Sequence, residues 1–197
     1  MSERIVIIGA GQAGAQAVAT LRAEGFTGTI TMIGDEPFLP YQRPPLSKAY
    51  LQGKFERERL FLKPESFYAE AKAEMILGTA AASIDRTKKL VMLTDGRVIA
   101  YDKLLLATGT RVRPILVPNA NFKAVHYLRS IADVDALRAV FEPGKRLAIV
   151  GGGYIGLEVA AVAVKHGLDV TVFEALDRRM QRAVDPLVSA FGEDVHR

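Results

Sequence analysis

RIVIIGAGQAG at residues 4–14 recurs as RLAIVGGGYIG at residues 146–156, and this pair of stretches decides the fold. Arg4, Gly9, Gly11, Gly14 and Gly25 reappear at an offset of 142 residues as Arg146, Gly151, Gly153, Gly156 and Gly167. Such an offset is far above the roughly 20–50-residue period of a solenoid and predicts two copies of one supersecondary unit in two domains. Each copy opens on an apolar run, residues 5–8 and 147–150, too short for a helix and suited to a buried parallel strand. GxGxxG follows in both. Residues 15–23 and 157–165, rich in Ala, Val and Leu at helical spacing, then predict helices, each closed by a glycine. A second strand is predicted over residues 29–33, ending at Asp35, and over residues 170–173, ending at Glu174.

This context gives each fingerprint glycine a distinct steric task. The first permits a tight turn, the second lets a pyrophosphate approach the backbone, and the third lets helix and strand pack closely. The phosphates then meet free N–H groups and the positive end of the helix dipole. The acid ending the second strand suits a ribose, and it stands 26 residues after Gly9 in one copy and 23 after Gly151 in the other, near the roughly 20 that such a role requires. A glycine-rich turn can also do no more than pack a helix on a sheet. Two copies in strand–helix–strand context, each with its acid, favour the phosphate role.

Between the copies, residues 74–77, 80–84, 90–93 and 98–101 predict short strands, with Asp95-Gly96 as a hairpin turn. Residues 104–106 predict another buried strand, running into the small-residue turn Ala107-Thr108-Gly109. Pro114 and Pro118 mark residues 113–121 as a crossing between domains, and residues 133–141 predict a helix ended by Pro143-Gly144. The domains expected are residues 1–112 and 113–197.

The 197 residues are 49% hydrophobic and 24% charged, which excludes disorder and fibrous repeats. The net charge of +4 is spread without a like-charge run, so it does not argue for nucleic acid, though it suits an acidic protein partner. Cysteine is absent, which excludes disulfides, thiolate metal sites and thiol catalysis within these residues. His126, His166 and His196 show no ligand spacing, so no metal site is expected. No apolar run approaches the roughly 18 residues of a membrane helix, and no cationic leader precedes residue 5, so a cytoplasmic chain is expected. Phe55, Phe61, Phe67 and Tyr68 are expected in core or lid packing.

With these pieces placed, the chain resembles the flavin-dependent ferredoxin and rubredoxin reductases of bacterial oxygenase systems, the putidaredoxin reductase group. The resemblance rests on Gly9-Ala10-Gly11-Gln12-Ala13-Gly14, on Arg43-Pro44-Pro45-Leu46-Ser47-Lys48 followed by Tyr50-Leu51, and on Tyr101-Asp102 with Ala107-Thr108-Gly109. It rests further on Tyr127-Leu128-Arg129 and on Gly151-Gly152-Gly153-Tyr154-Ile155-Gly156-Leu157-Glu158. It implies an α/β protein of two Rossmann-like units, the first holding FAD and the second NADH, with electrons passing to an acidic ferredoxin- or rubredoxin-type iron–sulfur protein. In such enzymes a hydride passes from nicotinamide C4 to flavin N5, and the reduced flavin releases single electrons.

Carried over residue by residue, the resemblance implies FAD contacts from Gly9, Gly11, Ala13 and Gly14, with Asp35 on the adenosine ribose and Ala81 at the adenine by its main chain. Arg43, Lys48, Ala107, Thr108, Gly109 and Arg129 complete that set. Gly151, Gly153, Ile155, Gly156 and Glu174 are implied for the nicotinamide dinucleotide, where the Glu174 carboxylate favours NADH by bonding a 2′-hydroxyl and repelling a 2′-phosphate. Lys48 and Glu158 are the implied catalytic pair. An ammonium near reduced flavin stabilises its negative charge, and Glu158 gates the nicotinamide site. Glu158 is also expected in the first turn of its helix, where the dipole favours a carboxylate without any function, and Arg43 and Lys48 could be ordinary solvated cations around two prolines.

Without cysteine, the redox pair of disulfide reductases of related architecture is missing from both zones where it occurs. Another NAD(P)H flavoenzyme of similar sheet order, such as a nitrite reductase component or an NADH oxidase, stays open, as does a non-catalytic dinucleotide-binding fragment. The resembling chains are about twice as long, so a second flavin segment and a C-terminal interface domain are implied to be missing here. Residues 1–197 alone are therefore expected to bind FAD weakly or not at all and to turn over far below a full-length enzyme.

Overall fold

The computed structural model describes residues 3–118 and 122–195, so Asn119, Ala120 and Asn121 of the expected crossing and His196 lie outside the described residues. The chain forms two compact units. One comprises Met1–Gln42 with Arg57–Arg111, the other Arg43–Glu56 with Val112–Arg197.

In the first unit, β1 (Arg4–Ile8), β2 (Thr29–Gly34), β3 (Ala73–Leu77) and β7 (Lys103–Leu106) form a parallel sheet in the order β3-β2-β1-β7. α1 (Gln12–Ala23) crosses from β1 to β2, and α2 (Glu65–Glu70) leads into β3. β1 is apolar at consecutive positions because both of its faces are covered. Ile5 and Ile7 pack with Val18, Ile30, Met32 and Tyr68 on one side, and Val6 and Ile8 with Ile33, Ile76, Val91 and Leu93 on the other. That second side belongs to an antiparallel meander of β4 (Ala81–Asp85), β5 (Leu90–Leu93) and β6 (Val98–Ala100). Residues 74–77, grouped by the sequence with the short central strands, thus extend the parallel sheet, whereas β4–β6 stand apart from it. Gly96, at φ +89, makes the Asp95-Gly96 turn between β5 and β6.

The second unit repeats the opening motif as β8 (Arg146–Val150), α4 (Tyr154–Lys165) and β9 (Asp169–Phe173), with β8 and β9 parallel. Gly25 and Gly167 end α1 and α4 in the left-handed conformation, at φ +81 and +80, the backbone state a glycine reaches without steric cost. α3 (Ile131–Arg138) starts earlier than expected because Ser130 and Asp133 form a reciprocal capping box, which satisfies two backbone donors at once. α5 (Pro186–Val195) closes the described chain. Val150 and Phe173, at the ends of the two strands, are 71% and 56% exposed.

The segment 43–56, expected to continue the first domain, groups with the second unit. The reason is local. Tyr50 donates its hydroxyl to Asp135 Oδ1 at 2.8 Å, Arg43 donates to the Arg129 carbonyl at 2.6 Å, and Leu46, Tyr50 and Leu51 are buried. Pro44 and Pro45 open a short 3-10 turn, Pro44–Ser47, which fixes the direction in which Ser47 and Lys48 leave it.

Candidate functional site

In a parallel sheet all strands end at one edge, so Gly9, Asp35, Gly78 and Ala107 gather at the carboxyl end of the first sheet. Gly9 sits at φ +123, and a Cβ there would lie 2.0 Å from the Ala107 carbonyl oxygen. Gly14 faces Gly9 so closely that a Cβ would stand 2.2 Å from the Gly9 carbonyl oxygen. Gly11, between them, has nothing within 4 Å of an added Cβ. It caps α1 without any side-chain hydrogen bond, and no acid stands in the first turn. Two glycines thus permit close packing, while the one expected to admit a phosphate faces open space beside free N–H groups. Ala13, second in α1, is exposed on the same first turn.

Asp35 is exposed, and its carboxylate has no partner among the described residues, whereas the neighbouring Glu36 accepts from the Tyr41 hydroxyl. Thr79 N–H donates to the Gly34 carbonyl at 3.0 Å, and Gly78 N–H to the Glu36 carbonyl at 3.0 Å. These bonds bring the link from β3 to β4, with Ala81 at its end, to the strand end that carries Asp35. Thr108 and Gly109 follow Ala107 on the exposed side, Gly109 at φ +65.

The second turn repeats the contrast between the last two glycines, although Gly151, unlike Gly9, has nothing within 4 Å of an added Cβ. Gly156 stands where a Cβ would lie 2.1 Å from the Gly151 carbonyl oxygen, while Gly153 has nothing within 4 Å. Ile155, in the first turn of α4, is exposed. Glu174 accepts from Gly152 N–H at 2.8 Å and from Leu176 N–H at 2.9 Å. The N–H groups of Leu176 and Gly152, in that order of weight, hold its carboxyl below the usual range against a smaller effect of burial, with further help from Ala175 N–H and the Arg182 charge.

Lys48 and Glu158 meet: Lys48 Nζ lies 2.7 Å from Glu158 Oε1, and the Ser47 hydroxyl donates to Glu158 Oε2. Lys48 also reaches the Pro44 carbonyl at 3.3 Å. Burial pushes the Glu158 carboxyl up, but the hydrogen bonds from Lys48 and Ser47, with the Lys48 charge, outweigh it and leave the group below its ordinary value. Glu158 lies in the second turn of α4, since the helix starts at Tyr154 and its first turn holds no acid. The dipole account expected from the sequence is therefore replaced by a paired carboxylate with two side-chain donors. Arg129 carries a buried Nε with no partner among the described residues. Arg43, Lys48 and Arg129 belong to the second unit, and the remaining residues expected at FAD to the first.

Sequence reasoning missed Ser47 as a partner of Glu158 and missed the Gly152 amide as a partner of Glu174. The serine stood inside a quoted motif, yet nothing in the sequence linked it to a helix more than a hundred residues away. Among the described residues no group of three or more His, Asp or Glu side chains could hold a metal, and no helix is long and apolar enough to cross a membrane.

A family model described as pyridine nucleotide-disulphide oxidoreductase matches residues 3–197. The chain is 48% identical over 192 residues to rhodocoxin reductase of Rhodococcus erythropolis, covering 98% of this chain and 45% of that protein. It is 42% identical over 202 residues to putidaredoxin reductase of Pseudomonas putida, covering 100% of this chain and 47% of that one. A solved covalent putidaredoxin reductase–putidaredoxin complex superposes with a TM-score of 0.93 at 42% identity, over 99% of this chain and 48% of that chain. The chain thus spans about half the length of the curated relatives it matches.

Proposed function

Because the chain belongs to the pyridine nucleotide-disulphide oxidoreductase family, we propose that it is part of an FAD-dependent reductase that passes electrons from NADH to a ferredoxin- or rubredoxin-type iron–sulfur protein. The observation that carries this reading is the steric contrast within each glycine turn. Gly11 and Gly153 leave open space for a pyrophosphate, while Gly14 and Gly156 are closed against backbone oxygen. Two such turns accommodate two dinucleotides, FAD on residues 1–112 and NADH on residues 113–197.

Gly11 and Ala13 take the FAD pyrophosphate in a turn that Gly9 and Gly14 make possible by close packing, Asp35 takes its adenosine ribose, and Ala81, with Ala107, Thr108 and Gly109, forms the strand-end surface around it. Asp35 is free to accept from two hydroxyls, which favours FAD over FMN, since FMN carries no adenosine. Arg43 and Arg129 add positive charge. Gly151, Gly153, Ile155 and Gly156 hold the NADH pyrophosphate, with Glu174 beside the adenosine ribose, where its charge opposes a 2′-phosphate. FAD, when bound, supplies a two-electron acceptor that can release electrons one at a time. Lys48 supplies positive charge for the reduced state, and Glu158 with Ser47 holds that ammonium in place. The absence of cysteine removes a dithiol route through these residues. An acidic partner protein fits the net charge of +4.

The test is an anaerobic titration of the chain reconstituted with FAD at high protein concentration. A flavin spectrum that bleaches on addition of NADH and recovers on addition of an oxidised ferredoxin is expected, both slowly, in keeping with the poor turnover expected of residues 1–197. Stoichiometric uptake of FMN with refusal of FAD, or a bound flavin indifferent to NADH, refutes the reading.

A further inference from the structure

The two glycine turns differ at the strand end that faces them, and strand register makes the difference visible. Ile8 opposes Ile33 in the first copy, and Val150 opposes Phe173 in the second. With Arg4 equivalent to Arg146, the counterpart of Glu174 is Gly34, and the counterpart of Asp35 is Ala175. The residue between the first two fingerprint glycines exchanges in the opposite sense, from Ala10 to Gly152. A Cβ on Gly34 would lie 2.5 Å from the Ala10 Cβ, so the first copy has no room for a side chain at both places. In the second copy the small residue is in the turn, and a Cβ on Gly152 would stand 3.4 Å from the Glu174 Cβ and Oε2.

The exchange lets Glu174 reach the backbone of the turn. Its Oε2 takes the Gly152 N–H, its Oε1 takes the Leu176 N–H, and the Gly152 carbonyl in turn accepts from Met180 N–H at 3.0 Å. Both polar groups of Gly152 are thus held by the loop that follows β9. Asp35 has no such bond to its own turn.

We propose that Glu174 is a positioning residue that sets the shape of the second glycine turn through Gly152, apart from any contact with a ribose. The proposal rests on reading that turn as a dinucleotide site, and it adds that Glu174 acts on the part of the ligand shared by NADH and NADPH. Arginine at position 174 then removes the acceptor for two N–H groups, so it weakens both dinucleotides and does not simply exchange one for the other.

Two measurements on Glu174→Gln test this. Glutamine keeps the length but replaces one acceptor oxygen with a donor, so one of the two N–H groups loses its partner. In the ligand-free protein, amide hydrogen exchange at Gly152 or Leu176 is expected to quicken about tenfold or more, the size of effect for a lost hydrogen bond to a charged group. In binding titrations, the NADH analogue lacking the adenosine 2′-hydroxyl is expected to weaken about tenfold, and NADH itself by at least that factor. Unchanged exchange at both amides overturns the proposal, as does a loss confined to NADH, the signature of a ribose contact alone. If neither dinucleotide binds the unaltered protein, the functional reading fails, and the exchange measurement still decides the role of Glu174.

Discussion

Replacing Gly11 and Gly14 by alanine separates a glycine that serves packing from one that serves a ligand. At Gly14 the added Cβ would stand 2.2 Å from the Gly9 carbonyl oxygen, so the start of α1 and the turn must part by about 1 Å in a close-packed interior. The obstacle is backbone, which cannot rotate away. Overpacking of this kind costs about 2–3 kcal/mol, or about 4–12 °C in Tm for a chain of this size. At Gly11 nothing lies within 4 Å, and the backbone, at φ −111 and ψ −162, is open to any residue. Alanine is a poorer helix cap than glycine, but it also restricts the unfolded chain. The two effects nearly cancel, leaving a change within about 0.5 kcal/mol. The same methyl group occupies the space proposed for the pyrophosphate, so FAD affinity is expected to fall at least about tenfold, or about 1.4 kcal/mol. Thermal unfolding of the ligand-free variants, beside flavin titration of each, measures both quantities. A tolerated Gly14→Ala, or a Gly11→Ala that keeps its FAD affinity, refutes the reasoning. Gly156 and Gly153 form the same contrast in the second turn, read there with NADH.

Glu158→Gln is expected to lower the rate of flavin reduction by NADH about tenfold, followed by stopped-flow absorbance, yet to change stability by less than about 1 kcal/mol, because Lys48 is half exposed. Since the folded carboxyl of Glu158 lies below its ordinary value, the stabilisation by Lys48 and Ser47 is present above the usual carboxylate range and fades as pH falls through the depressed folded value; carboxyl NMR shifts of Glu158 follow it, and titration at the ordinary value contradicts the pairing. Tyr68 buries a hydroxyl with no partner among the described residues, and burial pushes its pKa up to about 12, so Tyr68→Phe should leave Tm unchanged or raise it by about 2–4 °C per kcal/mol gained; a clear loss of Tm points to an unseen partner. Asp102 accepts from the side chain and backbone N–H of Arg4, which hold its carboxyl at about 2; its contribution is present above the ordinary carboxylate pKa and lost as pH falls through about 2, so any Tm difference between wild type and Asp102→Asn at neutral pH should vanish towards pH 2.

The glycine turns were legible because each fingerprint residue answers a local steric demand. Within each copy the apolar run, the fingerprint and the glycines at both helix ends lie within about thirty residues of one another, and β1, α1, β2 and their second copies follow from them. The destination of residues 74–77 was not legible, since a short apolar run is equally compatible with a hairpin and with a parallel edge. It is the crossover through α2 that carries β3 to the side of β2. The start of α3 is set by Ser130 and Asp133, which cap it from both directions, a signal that an apolar count passes over.

The same limit explains the segment 43–56. Two prolines and two cations describe a rigid, charged loop, and chain order alone attaches such a loop to the unit that precedes it. Part of what attaches it to the other unit is one carboxylate. Glu158 has two oxygens, and adjacent residues of the loop, Ser47 and Lys48, take one each. A serine could not neutralise Glu158, and a lysine alone would leave one oxygen of a half-buried carboxylate without a side-chain donor, so the dipeptide works as a single ligand for the acid. The Tyr50–Asp135 bond repeats the attachment on α3. Lys48 and Glu158 were each legible as candidates, one from its motif and one from its helix. Their partnership exists only once α4 meets the loop, because Lys48 and Glu158 lie 110 positions apart in the chain.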